Sequence, residues 1–254
     1  METVEEAPIM LGKTIIEDTF AEAFGMKYTR LVITAHDTYW LEAAVREFTG
    51  YSSSVIACDL EAGLDCWLSK EETPDGRLGA AVLAFGFSAD ALASAVANRV
   101  GQCVRTCAST AVFDGLPEAD GRIPLDKHIR FFGDGCQKSK VIGGIRYWRI
   151  PVMDGEFLVQ ESLGVASGVA GGNLILQTAQ LEQALDAARR GVAAMEAVAG
   201  VITPFPAGVA RSGSKVGSIY KTLKASTADA YCPSLRGRVE TKLRDGVGLS
   251  LIHI

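Results

Sequence analysis

The residues with the clearest capacity for chemistry lie in a stretch without a single acid. From Ala197 to Ala228 there is no Asp or Glu, while Arg211, Lys215, Lys221 and Lys224 supply four cations. Within it, Ser212-Gly213-Ser214-Lys215 is followed by Gly217-Ser218. Small residues let a backbone approach an anion closely, and amide N–H groups, hydroxyls and ammonium groups can all donate to it. The segment reads either as a solvated loop or as a cradle for phosphate or carboxylate. It is not a P-loop, because the spacing from the first glycine to a Gly-Lys pair is absent.

Other reactive side chains are scattered. Glu17 and Asp18 are adjacent, so on a strand they face opposite ways and cannot share a site. Glu161 precedes a glycine-rich turn and is a second candidate acid or base. Gln102 follows an Ala-rich helical stretch; its amide either donates to a substrate or bonds backbone at the helix end. Cys103 and Cys107 have no second pair and no nearby His, which argues against a metal site. Nothing beside Cys103 in sequence lowers its pKa, as a nucleophilic thiol requires. His36 reads as a capping or surface residue and His128 as a structural one.

The elements that must position these groups alternate irregularly. Arg30–Ala35, Ser53–Cys58, Leu78–Phe87, Cys103–Phe113, His128–Phe132 and Gly172–Gln177 read as strands. Asp37 and Thr38 can cap a helix over Tyr39–Phe48, with Leu41, Ala44, Val45 and Phe48 on its apolar face. Ser88 caps a second helix over Ala89–Val100, and a third spans Gln180–Val198. Val141–Val152 reads as a hairpin around Gly143-Gly144. Residues 80–100 and 173–193 share a strand-cap-helix pattern, a hint of two similar lobes. The boundary is expected near Ile150–Gly155, giving lobes over 1–150 and 151–254. Strands and helices in this mixture favour an α+β fold.

The chain has 254 residues, 48% of them hydrophobic, and a net charge of −5. That size can bury two cores of ordinary dimensions. The acidic balance argues against a dedicated nucleic-acid binder. The acidic start lacks a secretory signal, and no apolar run of membrane-spanning length is present, so the expectation is a cytoplasmic protein whose six cysteines are reduced.

Several blocks carry a family resemblance. They are Ile16–Phe24 (IEDTFAEAF), Glu72–Arg77 (ETPDGR), Gly101–Val104 (GQCV), Thr110–Pro117 (TAVFDGLP), Ala170–Asn173 (AGGN), Ile202–Pro206 (ITPFP), Ser212–Lys215 (SGSK) and Cys232–Ser234 (CPS). In order and spacing the chain resembles the formylmethanofuran–tetrahydromethanopterin formyltransferases, including the transferase component of the bacterial formyltransferase/hydrolase complex. The resemblance implies two similar ferredoxin-like α+β lobes with antiparallel sheets packed by helices, the N-terminal one proximal and the C-terminal one distal. It implies a homotetramer with its site at a subunit interface, and a formyl group moved between a methanofuran- or methylofuran-type amine and N5 of tetrahydromethanopterin. No prosthetic group or metal is implied; the two carriers are co-substrates with acidic tails. Other subunits of a formyl hydrolase complex are implied partners, so a non-catalytic carrier-binding or scaffolding role is the alternative.

Formyl transfer needs donors for a growing oxyanion and a relay for protons. Under the resemblance Gln102, Ser212, Ser214, Glu17 and Glu161 are the expected catalytic residues. Arg211, Gly213, Lys215, Lys221, Cys103 and Thr110 are the expected carrier-binding ones. The run Leu249–Ile254 (LSLIHI) departs from the family pattern, where a glutamate is expected, so the second lobe is expected to be incomplete.

Overall fold

The computed structural model describes residues 9–17, 23–211 and 215–253. It opens with a small hairpin, β1 (Ile9–Leu11) and β2 (Thr14–Ile16). Then come β3 (Phe24–Ala35), α1 (Thr38–Thr49), β4 (Glu61–Leu68), β5 (Leu78–Gly86), α2 (Ala89–Arg99) and β6 (Ala111–Asp114). This β-α-β-β-α-β unit pairs in the order β4-β5-β3-β6, all antiparallel. It is the ferredoxin-like arrangement.

The sheet continues beyond this unit. After β7 (Gly121–Pro124) and the short helix α3 (Asp126–Ile129) come β8 (Lys138–Ile142), β9 (Ile145–Val152), β10 (Gly155–Gln160) and β11 (Ser162–Ala170). The hairpins β8-β9-β10 extend the sheet, with β10 parallel to β6. β11 pairs with the first half of β3 and with β7. A division at residue 150 therefore does not separate the sheets: strands 155–160 and 162–170 belong to the first one.

A second unit follows: β12 (Leu174–Thr178), α4 (Leu181–Glu196), β13 (Val209–Ala210), the hairpin β14 (Lys215–Val216) and β15 (Ala225–Ser226), and β16 (Leu249–His253). Its sheet order, β12-β16-β13, repeats the order of β3, β5 and β4 in the first unit. The lobes are thus similar, and among the described residues the second holds one helix and three strands of the pattern. The repeat is offset from its expected register: β12 and α4 correspond to β3 and α1, not to β5 and α2.

Why the helices form where they do is visible locally. Asp37 accepts from the Trp40 amide at 3.2 Å and Ser88 from the Ala91 amide at 3.2 Å, satisfying donors each helix start leaves open. α1 buries Leu41, Ala44, Val45 and Phe48, the four expected residues, while α2 buries Leu92, Ala95 and Val96. Both faces cover the inner side of the sheet, where Leu31, Ile33, Val82 and Val112 are fully buried. Each such large aliphatic or aromatic side chain contributes about 1.5–3 kcal/mol by leaving water.

Three expected strands are different. Ser53–Cys58 forms turns, because Ser54 O accepts from both the Ala57 and Cys58 amides. His128–Phe132 is helical: Asp126 opens a helical turn and pairs with Arg130 one turn later at 3.0 Å. Of Cys103–Phe113, only Ala111–Phe113 is strand. The end of α2 widens into a π-turn over Val100–Val104, and Thr106 and Thr110 hydroxyls hold the following backbone by donating to the Gln102 and Val104 carbonyls.

One carboxylate at the start of β4 costs stability. Burial pushes the Glu61 carboxyl above the usual range, against a smaller opposing effect from the Val55 amide that donates to it at 3.0 Å. A folded-state value above the unfolded one gives stability that is full at low pH and lost as pH rises through the folded value. Glu61→Gln keeps the acceptor and is expected to raise the melting temperature near pH 7, with the gain vanishing near pH 4. A gain independent of pH would assign it to packing instead.

Candidate functional site

Parallel β6 and β10 end side by side, and a cavity of about 340 Å³ opens at their carboxyl ends. Asp114 closes β6, Gln160 closes β10, and Glu161 follows it. Arg146 reaches in from β9 and Arg122 from β7, with Ser162 beside them.

The cavity has a fixed floor and an open rim. Asp114, with its side chain 2% exposed, accepts from Arg122 at 2.6 Å. Its other oxygen takes the Leu116 and Gly164 amides at 2.9 and 3.0 Å. Its own amide donates to Gln160 Oε1 at 3.0 Å. Every oxygen of this carboxylate is thus occupied, which suits a frame and not a reactant. Gly164 is required here: a Cβ at that position would collide with the Leu116 carbonyl.

Glu161 forms the rim with Arg146, Nε to Oε1 at 3.2 Å, both side chains more than 40% exposed. The Glu161 backbone is fixed at both ends. Its amide donates to the Arg146 carbonyl at 3.0 Å, and its carbonyl accepts from the Leu125 and Asp126 amides at 2.9 and 3.1 Å. An anchored backbone with an open ion pair can exchange partners: Glu161 can take a proton while Arg146 turns its charge to an arriving anion.

Among the described residues, none of the other expected ones lines this cavity. Gln102 is exposed in the π-turn, beyond the opposite end of β6, and Cys103 beside it is half-buried. Burial pushes the Cys103 thiol up. It is therefore expected to react with iodoacetamide near pH 8 more slowly than the exposed Cys136, by about threefold or more, read by peptide mass spectrometry. Equal rates would mean the thiol is activated. Thr110 is buried, its hydroxyl committed to the Val104 and Cys107 carbonyls. It borders a second cavity of about 230 Å³ with Arg77, Arg105 and Asp154.

Glu17 is exposed and paired with Arg244 at 2.6 Å. Lys215 is paired too: Asp229, the first acid after the acid-free stretch, folds back to it at 2.8 Å, and that hydrogen bond holds the Asp229 carboxyl below the usual range. Lys215 therefore meets a counter-charge that the acid-free stretch itself does not hold. Arg211 and Lys221 are exposed. Ser212, Gly213 and Ser214 lie outside the described residues.

Sequence reasoning missed Asp114, Arg122, Arg146 and Gln160. Asp114 lies inside the Thr110–Pro117 block, so a signal was present. The two arginines carried none, because they arrive from strands distant in sequence. Among the described residues no cluster of three potential metal ligands occurs, and no helix is long and apolar enough to cross a membrane.

Comparison with known proteins decides the family. The model described as formylmethanofuran-tetrahydromethanopterin formyltransferase matches residues 9–152, and a second, described as its proximal lobe, matches residues 155–252. The chain belongs to the formylmethanofuran–tetrahydromethanopterin formyltransferase family. The proximal label goes to the C-terminal segment, the reverse of the expected assignment.

Among relatives of that name, the Methylobacillus flagellatus protein is 50% identical over 238 residues, covering 92% of this chain and 79% of the relative. The Archaeoglobus fulgidus protein is 44% identical, covering 91% and 79%. A component of the formyltransferase/hydrolase complex of Methylorubrum extorquens is 46% identical, covering 93% and 78%. The fold is similar to a chain of the crystallised formyltransferase/hydrolase complex of Methylorubrum extorquens bound to methylofuran. The TM-score is 0.93 at 44% identity, covering 97% of this chain and 82% of that one. A second similar structure is the Methanosarcina barkeri formyltransferase, with a TM-score of 0.85 at 41% identity, covering 93% and 80%.

Proposed function

We propose that this chain is an acyltransferase of one-carbon metabolism that moves a formyl group between the amine of a methanofuran- or methylofuran-type carrier and N5 of tetrahydromethanopterin. Family membership across both segments carries this reading. The Glu161–Arg146 pair supplies its chemistry. The attacking amine adds to the formyl carbon and passes its proton to Glu161. As Glu161 is neutralised its hold on Arg146 loosens, and the guanidinium faces the oxyanion now formed. The oxyanion collapses, the bond to the departing nitrogen breaks, and the Glu161 proton goes to that nitrogen. Net charge at the pair is unchanged over the cycle.

The acidic tails of the carriers suit the exposed Arg211 and Lys221, with Gln102 and the Ser212–Ser214 run as further donors. The enzyme works in the cytoplasm as a homotetramer. The test is steady-state exchange: the purified chain, given the formyl-furan carrier and free pterin at saturation, should yield N5-formyl pterin. Binding of both carriers without exchange would leave the second reading, a carrier-binding or scaffolding subunit. The likeness to a component of the formyltransferase/hydrolase complex, in sequence and in fold, supports association with other subunits in either case.

A further inference from the structure

The Gln160 side chain is committed at one end and unclaimed at the other. It is 5% exposed, and its Oε1 accepts from the Asp114 amide at 3.0 Å. A backbone N–H can only donate, so the carboxamide cannot turn over: its oxygen stays on Asp114 and its nitrogen takes the other branch. The anchor is fixed as well, because Arg122 and the Leu116 and Gly164 amides hold the Asp114 carboxylate. Among the described residues nothing accepts from Gln160 Nε2, yet that atom is not sealed in the interior. The sealed, unpartnered side-chain atoms there are Arg99 Nε and Trp148 Nε1. The Gln160 NH2 therefore opens into the cavity it lines with Glu161 and Arg146. A buried amide with both N–H groups unspent is unusual in a mere frame. Its cationic neighbours are occupied: Arg122 donates to Asp114 and to the Ser162 carbonyl, and Arg146 to Glu161 and Ser139.

We propose that Gln160 is a further catalytic residue, whose Nε2 donates to the formyl oxygen of the group in transfer. The inference rests on the formyl-transfer reading above and deepens it. As the amine nitrogen bonds to the formyl carbon, the carbonyl π pair moves onto oxygen. As the second carbon–nitrogen bond breaks, that pair returns to remake the carbonyl. Gln160 gives a hydrogen bond and exchanges no proton, so it serves both directions of transfer alike. Glu161 carries the proton, and Arg146 turns to the oxyanion only once Glu161 is neutral. Gln160 is in place before either event. A donor that needs no reorganisation as charge develops acts most strongly in the transition state. Being uncharged, it also holds a carbonyl oxygen without drawing a carboxylate into the same position.

Two variants test it beside the unsubstituted full chain. Gln160→Glu keeps an acceptor for the Asp114 amide and replaces the donor with an oxygen, while Gln160→Met removes both. Each is expected to lower kcat for exchange about 10²- to 10³-fold, with carrier KM little changed. In Gln160→Glu the loss, taken against the unsubstituted chain at the same pH, should shrink as pH falls and the carboxyl regains an O–H to donate. Infrared difference spectra of bound furan carrier, labelled with ¹³C in the formyl group, read the contact without turnover. The carbonyl band should lie at lower frequency in the unsubstituted chain than in Gln160→Met. Equal band positions, or full kcat in Gln160→Glu, overturn the role of Gln160 and leave formyl transfer standing. If both carriers bind without exchange, formyl transfer is overturned, and a band shift lost in Gln160→Met still upholds the contact with the formyl oxygen. A chain that binds no furan carrier overturns both.

Discussion

Glu161→Gln lowers kcat for formyl transfer about 10²- to 10⁴-fold, the range for losing a positioned acid–base group. The amide keeps the size of the side chain and its contact with Arg146 but cannot take the proton of the attacking amine. Its backbone is anchored by three hydrogen bonds that the substitution leaves alone, so the melting temperature should move little. The pair is open to solvent and adds little to stability, as exposed ion pairs do. A large loss of kcat with an unchanged fold and carrier KM is the signature of a group acting in the transition state. A KM effect alone would make Glu161 a binding residue.

Asp114→Ala is expected to cost about 3–5 kcal/mol. It removes the partner of Arg122 and strands the Leu116 and Gly164 amides, each orphaned donor costing about 1–3 kcal/mol. Asp114→Asn keeps one oxygen for the two amides but turns its NH2 toward Arg122, which loses both the charge and the acceptor there, so its cost is smaller, about 1–2 kcal/mol. Urea unfolding of the two variants separates these cases. Equal costs would mean that Arg122 alone sets the energy of the floor and that the amides find other partners. Either variant also loosens the cavity floor, so activity should fall in step with stability.

What the sequence made legible follows physical range. The faces of α1 and α2 and their caps were readable because a helix is specified by side chains within a turn of one another. The β8-β9 hairpin was readable from Gly143-Gly144 for the same reason. His128–Phe132 misled because its apolar residues belong to a helical turn. There Ile129 enters the core, while Phe131 and Phe132 stay outside beneath Arg130 and Arg105, respectively. Ser53–Cys58 misled because consecutive serines offer the backbone local bonds that compete with a ladder.

The site was half legible. Glu161 could be named because glycines follow it, although the turn they suggested is strand β11. Its partner could not, since Arg146 arrives through the antiparallel pairing of β9 with β10. The acid-free stretch made Lys215 appear uncompensated until folding brought Asp229 across the hairpin. Composition reports the charges a segment owns, and only the fold reports the charges it meets.

The most direct measurement of formyl transfer follows the carbon itself. The purified chain is given furan carrier labelled with ¹³C in the formyl group, together with unlabelled pterin, and the label is traced by NMR. The label is expected at N5 of the pterin, without passage through free formate, and in the reverse direction when labelled formyl pterin is supplied. Label that stays on the furan carrier with both carriers bound, or leaves as formate, would contradict formyl transfer by this chain.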